Sequence, residues 1–404
     1  MFRHRGFRIY WSARLLTTAA MQFLSVAVGW YVYDLTHDPL DLGLVGLCQF
    51  LPFLALFFLT GAAADRFERR RIMAVCIGLQ LVCVSAIVAL VATRTGSVLP
   101  IFGLLVLFGS ARAFYGPADR AITPNLVPTE ELSTAIAWNS SGWQFVVICG
   151  PVVGGLLYGV APELPFAAAG AFWALALVQV LRIPPVPRAT GAAGALSWQT
   201  VSAGFRYIWQ EKVVLGAITL DLFAVLLGGA TALLPAYARD ILAVGPTGLG
   251  LLRSAPGIGA LAMALFLIRR PIRQSAGVLL FVAVGGFGLF TCVFGLSTAP
   301  GLSIGALAAI GALDMVSVYV RETLIQVWTP DALRGRVNAV NLVFIGASNE
   351  LGEFRAGVMA ALIGVVPAVV VGGAGTLLVA LVASRLFPQL RRVDHLDRPE
   401  AEAA

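Results

Sequence analysis

The chain has 404 residues, of which 59% are apolar and 12% charged, with a mean hydropathy of +0.87. A soluble domain carries about 25% charged residues, so half that share leaves too little polar surface to cover a water-soluble protein of this length. The composition excludes an ordinary cytosolic enzyme, a disordered chain and a disulfide scaffold, and points to a polytopic α-helical membrane protein.

A spanning helix needs about 20 apolar residues, and uncharged stretches of that order divide the chain. They run 15–33, 42–64, 72–93, 95–111, 132–162, 164–181, 222–238, 254–268, 274–313 and 356–384. The 274–313 stretch is long enough for two crossings and is broken by Ser297-Thr-Ala-Pro-Gly301, a turn signal. Residues 338–364 add one more span despite internal charges, and the total is twelve. Unpaired backbone groups in hydrocarbon leave only helices or closed barrels. Barrel strands alternate polar and apolar residues. Leu51-Pro-Phe-Leu-Ala-Leu-Phe-Phe-Leu59 does not, so the spans are helices.

The net charge of +7 comes from 27 Arg and one Lys, Lys212, against 21 acids. In a soluble protein that excess would suggest nucleic acid. Here the basic residues cluster in short gaps between apolar runs, and no nucleic-acid partner is expected. Alternate gaps and tails hold 21 and two basic residues, an asymmetry that places both termini in the cytoplasm of a bacterial-type inner membrane. Cys48, Cys76, Cys83, Cys149 and Cys292 lie inside apolar runs with no His at ligand spacing. They are small apolar fillers, and no metal, cofactor or disulfide is expected.

The longest hydrophilic stretch, 183–212, holds Pro184, Pro185 and Pro187, then Ser197, which can cap a short helix. Trp198, Phe205 and Trp209 share one face of that helix, which therefore lies along the inner membrane surface. The stretch divides the chain into an amino-terminal six-helix bundle over 1–183, a cytoplasmic linker over 184–212, a second six-helix bundle over 213–387 and a cytoplasmic tail over 388–404. The halves echo one another. Asp34, Pro39 and Gly43 precede the second span as Asp240, Pro246 and Gly250 precede the eighth. Pro128 and Asn139 recur as Pro330 and Asn341. Internal duplication of this kind characterises many transporters.

After the second span the chain reads Gly61-Ala-Ala-Ala-Asp65-Arg66-Phe-Glu68-Arg69-Arg70-Arg71. Gly61 permits close helix contact, and Asp65 at a helix end can pair with Arg or a facing helix N-terminus. Here the chain resembles the major facilitator superfamily, whose signature at this loop is Gly-x-x-x-Asp-Arg-x-Gly-Arg-Arg/Lys. Glu68 replaces the second Gly, which implies a less tight turn. Arg112-Ala-Phe-Tyr-Gly116 is similar to the family's Arg-x-x-x-Gly pattern in span four. Gly150-Pro151-Val-Val-Gly154-Gly155 in span five is similar to a motif associated with exporters. Its small residues let helices approach, and its Pro opens a kink. Pro117-Ala-Asp-Arg120, Leu233 to Asp240, Gly335-Arg336-Val337 and Asn349-Glu350-Leu-Gly-Glu353 resemble the enterobactin-exporter-like and multidrug efflux branch. The resemblance implies the major facilitator fold, two pseudo-symmetric six-helix bundles. It also implies an inner gate formed by Gly61, Asp65, Arg66, Arg69 and Arg70 with the facing Gly335 and Arg336.

Charges inside spans are costly and mark function. Arg112, Asp221, Asp314, Glu350, Glu353 and Arg355 fall inside spans, with Arg14, Asp34, Arg253, Arg321 and Glu322 nearer the ends. In the superfamily, spans one, four, seven and ten line a central cavity, which implies that Arg112, Asp221 and Asp314 face it. Gly346, Glu350, Glu353 and Gly357 share one helical face. Asp221, Asp314, Glu350, Glu353 and, at the outer rim, Asp34 are therefore candidate proton carriers; a static salt-bridge network is the competing reading.

An intramembrane hydrolase would want His or Gly-x-Ser-x-Gly inside a span, but His4, His37 and His395 lie in tails or a loop. A phosphate loop needs Gly-Lys-Ser/Thr, and Lys212 follows Glu211. The expected protein is a secondary transporter, not an enzyme. It exports a small amphipathic molecule such as a siderophore, drug or metabolite by rocking between two faces, coupled to protons, as a monomer in the lipid bilayer. Uptake by the same fold, or a receptor or scaffold without transport, are the alternatives.

Overall fold

The computed structural model describes residues 3–94, 96–184, 198–272 and 274–396, without the side chains of residues 57, 58, 61, 62, 64, 65 and 198–201. Among the described residues the structure is helical with no strand. The first six long helices are α1 (Arg5–Thr36), α2 (Pro39–Arg66), α3 (Arg69–Ala92), α4 (Leu99–Ile122), α5 (Leu132–Val160) and α6 (Leu164–Arg182). A short helix, α7 (Trp198–Gln210), is followed by α8 (Lys212–Gly228), α9 (Gly245–Arg269), α10 (Ala276–Leu296), α11 (Pro300–Trp328), α12 (Asp331–Ile363) and α13 (Val365–Leu386). Eleven helical segments among the described residues are long and apolar enough to cross a membrane. The twelfth long helix is α12, whose 33 residues include Glu350, Glu353 and Arg355.

Local chemistry sets the helix ends. Proline opens α2, α4, α6 and α11 in the first or second position, where its missing N–H is not needed. Asp38 caps α2 by accepting from the Leu40 N–H at 2.8 Å. Gly364 alone separates α12 from α13, with φ +92°, a conformation that L side chains rarely adopt.

The helices pack as two compact units, residues 1–196 with 244–254, and residues 197–243 with 255–404. In the first, α1 lies on α5 and α6, α2 on α4, and α3 on α4 and α6. Phe7, Phe23, Met73, Ile77, Phe108, Phe166 and Trp173 fill its core, with Phe108 edge-on to Trp173 at 5.4 Å. In lipid, helix association rests on close packing rather than on expelling water, so small residues sit at the crossings. A Cβ at Gly109 of α4 would meet Gln49 Cα of α2 at 2.7 Å.

In the second unit, α8 lies on α12 and α13, α10 on α11 and α13, and α7 on α12. The Tyr207 hydroxyl of α7 donates to the Trp328 carbonyl, and Ile208 enters the core. Phe205 and Trp209 stay exposed with rings 6.2 Å apart. The short Pro388–Arg391 turn and the residues after it cap α10: Val393 and Asp394 carbonyls accept from Gly277 and Ala276.

The helices outrun the uncharged stretches that mark them in sequence. The seventh begins at Lys212 rather than Leu222, so that Asp221, expected inside a span, stands nine residues into α8 rather than at its edge. The eighth begins at Gly245 rather than Ser254, which puts Arg253 inside α9. Residues 356–363 belong to α12, and the twelfth span starts at Val365. A helix interior tolerates charge where it faces partners in its own bundle, so absence of charge understates helix length. Residues 185–197 of the expected linker, Arg273 and residues 397–404 of the tail lie outside the described residues.

The seventh span is broken, at a point the reading of apolar runs does not mark: α8 stops at Gly228, and the chain resumes in a 3-10 turn (Thr231–Leu233), an α-helical turn (Leu234–Ala236) and a π-helical turn (Tyr237–Ile241). Helices α8, α12 and α13 converge there on glycine. A Cβ at Gly352 would meet the Val225 carbonyl oxygen at 2.8 Å, and one at Gly228 the Thr376 hydroxyl at 2.6 Å. The terminal carbonyls of α8 accept from Arg355 of α12, Leu226 from Nε at 2.8 Å and Leu227 from Nη2. A guanidinium supplies the donors that a broken helix in lipid otherwise lacks.

Candidate functional site

Among the described residues, each unit holds an ion pair between its first and fourth long helices. In the first unit, Arg14 of α1 approaches Asp119 of α4 at 3.4 Å. The pair is embedded in hydrogen bonds. The Tyr10 hydroxyl donates to Asp119 Oδ1 at 3.0 Å and accepts from Arg14 Nη1 at 3.0 Å. Thr123 donates to Tyr10 at 3.3 Å, and Asn139 of α5 donates to Thr123 at 3.4 Å. A buried carboxylate is stable when each of its lone pairs is answered in this way.

In the second unit, Asp221 of α8 pairs with Arg321 of α11. Arg321 also lies 3.9 Å from Glu322, which accepts from Asn341 of α12 at 3.0 Å. Asp314 lies on α11 two turns before Arg321, with Ser317 between them on the same face. Asp221, Asp314 and Ser317 line one small cavity. Thus two of the candidate proton carriers, Asp221 and Asp314, come together. Glu350 and Glu353 are half-buried on α12. Asp34 is exposed near the end of α1, and Arg112 is exposed on α4.

The loop between α2 and α3 ties its own unit together. Arg69 donates to the Ala121 carbonyl at 2.7 Å, at the end of α4, and Arg70 to the Ile183 carbonyl at 2.6 Å, just past α6. Glu68, where the family pattern has Gly, holds Arg71 at 2.7 Å and Arg70 at 3.5 Å. The extra carboxylate therefore orders two of the three consecutive arginines. Arg66 is exposed at the end of α2, and the surroundings of Gly61 and the Asp65 side chain lie outside what is described. Gly335 and Arg336 are exposed on the first turns of α12. There the Arg336 carbonyl abuts Gly204 of α7, where a Cβ would sit 2.7 Å from it.

The Gly150-Pro151-Val-Val-Gly154-Gly155 segment is a packing surface. A Cβ at Gly150 would meet Gln22 Cβ at 2.7 Å and one at Gly154 would meet Phe23 Cα at 3.2 Å, both on α1. Gly155 faces the Pro246 carbonyl in the first turns of α9, and Ser254 donates to Ile148 at 2.6 Å.

Sequence reasoning missed Asp119, Tyr10, Tyr115 and Ser317. Asp119 looked like part of a basic loop because Arg120 follows it. The available signal was the repeat: Asp119 and Arg321 are separated by 202 positions, as are Pro128 and Pro330, and Asn139 and Asn341.

Twelve long helices in two bundles, each with a charge pair between its first and fourth helices, have the plan of a polytopic membrane transporter. A family model described as transmembrane secretion effector matches residues 1–402. The chain belongs to this family of the major facilitator superfamily, whose members are transporters and not enzymes. It is 28% identical over 399 residues to the enterobactin exporter EntS of Citrobacter koseri, covering 96% of this chain and 93% of that protein. The figures are the same for EntS of Escherichia coli O1:K1 / APEC. Among solved structures, the nucleoside transporter NupG superposes with a TM-score of 0.73 at 14% identity, over 95% of this chain and 99% of that one. A bacterial homologue of the iron transporter ferroportin, in an inward-facing state, gives 0.69 at 18% identity, over 96% and 99%. These likenesses establish the fold.

Proposed function

We propose that this protein exports a small amphipathic molecule of siderophore type from the cytoplasm, coupled to proton entry, across a bacterial inner membrane with both termini inside. The observation that carries the reading is a pair of carboxylates, Asp221 buried and Asp314 half-buried, on one cavity of the second unit. A secondary transporter needs a group whose charge changes with the conformational cycle, and a carboxylate in low dielectric is such a group. The direction of transport rests on the family description and on the name of the 28%-identical relatives. Arg112, Glu350, Glu353 and Asp34 supply the remaining charge for substrate and proton. The inner gate is assigned to the Asp65, Arg66, Arg69 and Arg70 loop together with Gly335 and Arg336, and the working unit to a monomer.

Everted membrane vesicles test this with enterobactin as the probe. Energised vesicles accumulate it in the lumen, a protonophore collapses the accumulation, and an acid-inside gradient imposed on de-energised vesicles without protonophore drives it. Flux only in right-side-out vesicles would establish uptake instead. No flux in either orientation would leave a receptor or scaffold.

A further inference from the structure

The carboxyl-terminal turn closes one end of a wedge between α10 and α13. Mid-span these helices are in backbone contact: a Cβ at Gly288 would meet the Gly373 carbonyl oxygen at 2.7 Å. One turn nearer the start of α10 they part, and a Cβ at Gly285 would find the Ala380 Cβ only at 4.0 Å. Beyond that the short Pro388–Arg391 turn folds back, so that Gly277 lies against the Leu390 carbonyl and its N–H donates to the Val393 carbonyl at 2.9 Å. Between the two contacts is a groove of about 250 Å³.

The groove is apolar along its length and basic at its end. Val278 and Val282 of α10 and Leu381 of α13 are exposed along it, with Phe281 and Ala380 buried beneath. Ser384 also lines it, but its hydroxyl is spent on the Leu381 carbonyl at 2.7 Å. A held water needs two to four polar partners, and this lining does not offer them, so hydrocarbon fills the groove.

Arg391 completes the lining. Its guanidinium is exposed and makes no hydrogen bond or ion pair among the described residues, and the same is true of Arg385 and Arg392. The acid of this segment, Asp394, is engaged elsewhere: it accepts from the Ser275 N–H at 2.6 Å at the start of α10, with His395 3.5 Å from its other oxygen. Three arginines against one aspartate leave two positive charges beside an apolar trough.

We infer that the groove between α10 and α13 binds one anionic phospholipid, with an acyl chain lying over Phe281 and Ala380 and the phosphate on Arg391. An acyl chain matches the apolar walls, and a phosphate accepts paired N–H bonds from a guanidinium. Basic pockets between spanning helices recognise anionic headgroups in this way. The end of the chain itself is a poor occupant: beyond Leu396 it reads Asp-Arg-Pro-Glu-Ala-Glu-Ala-Ala404, with no large apolar side chain to enter the groove. The lipid fastens the carboxyl-terminal turn to the second unit, whatever substrate the protein moves.

Native mass spectrometry of delipidated full-length protein in detergent tests the site, with phosphatidylglycerol and zwitterionic phosphatidylcholine titrated in parallel. One phosphatidylglycerol binds per chain, about tenfold tighter than phosphatidylcholine. Arg391→Gln weakens it about tenfold, and Arg391→Lys, a point charge without the fork, recovers only part. Arg269→Gln, which removes an arginine that does not line the groove, leaves binding unchanged. Val282→Trp fills the groove from an exposed position and removes the tight adduct, while elution in size-exclusion chromatography stays as in wild type. Equal binding of the two lipids, or equal losses in Arg391→Gln and Arg269→Gln, overturns the site. Binding that appears only after removal of the residues beyond Leu396 makes the tail the occupant, and a dimer in place of the lipid adduct makes it a second copy; either result also overturns the inference. No substrate is present in the measurement, so its failure leaves the transport reading untouched, and failure of vesicle flux leaves the lipid site.

Discussion

The buried pair in the second unit gives a prediction with a magnitude. Arg321 is 3% exposed and Asp221 8%. Removing one member leaves the other buried and unanswered, which costs about 3–5 kcal/mol, whereas replacing both with apolar residues is close to neutral. Asp221→Leu and Arg321→Met are therefore each expected to destabilise by about 3–5 kcal/mol, and the double variant to regain most of that. The exchanged variant, Asp221→Arg with Arg321→Asp, is also expected to recover, because the first unit uses that sign order at the equivalent positions. Cys292 serves as the probe: it is a free thiol between α10 and α13, with its sulfur 3.5 Å from the Val370 carbonyl oxygen. Denaturant-dependent thiol labelling at Cys292, read by peptide mass spectrometry in choline buffer, reports opening of the same unit. If each single change costs under about 1 kcal/mol, or if the two costs simply add in the double variant, the pair is not a coupled buried unit and the reasoning fails.

Tyr10→Phe deletes a hydroxyl that joins Asp119, Arg14 and Thr123, and should cost about 1.5–3 kcal/mol in the same kind of labelling experiment read at Cys83 in α3; no change would mean that another group already satisfies Asp119. Gly311→Leu should sharply lower the yield of folded protein in size-exclusion chromatography, because its Cβ would press on the Pro256 carbonyl, whereas Gly305→Leu on the same helix faces open space and should behave as wild type. Arg355→Met strips the donors from the Leu226 and Leu227 carbonyls and should raise hydrogen exchange at the break in α8; Arg355→Lys, a point donor rather than a fork, should recover only part of the protection.

The particular residues show where inference from the chain alone stops. Asp314 could be singled out by its depth past the Ser297–Gly301 turn, and Asp221 by the resemblance, which places it on a cavity-lining span. Arg321, which answers Asp221, and Asp119, which answers Arg14, could not. Arg321 and Asp119 sit near helix ends, where a charge in a span and a charge in a loop look alike. The break in the seventh span was invisible because Gly228 and Gly229 lie in an uninterrupted apolar run. The glycines permit the break, but Arg355, more than 120 positions away, supplies the donors that stabilise it.

Composition and pattern alone determined that this is a helical membrane protein with a duplicated plan, because lipid demands long apolar segments with internally satisfied backbones and leaves few alternatives. Only the tertiary structure decided which charge answers which and where a helix stops inside the bilayer. Those outcomes depend on contacts between residues roughly 100 positions apart in sequence, at distances of a few ångström, and no local pattern along the chain encodes them.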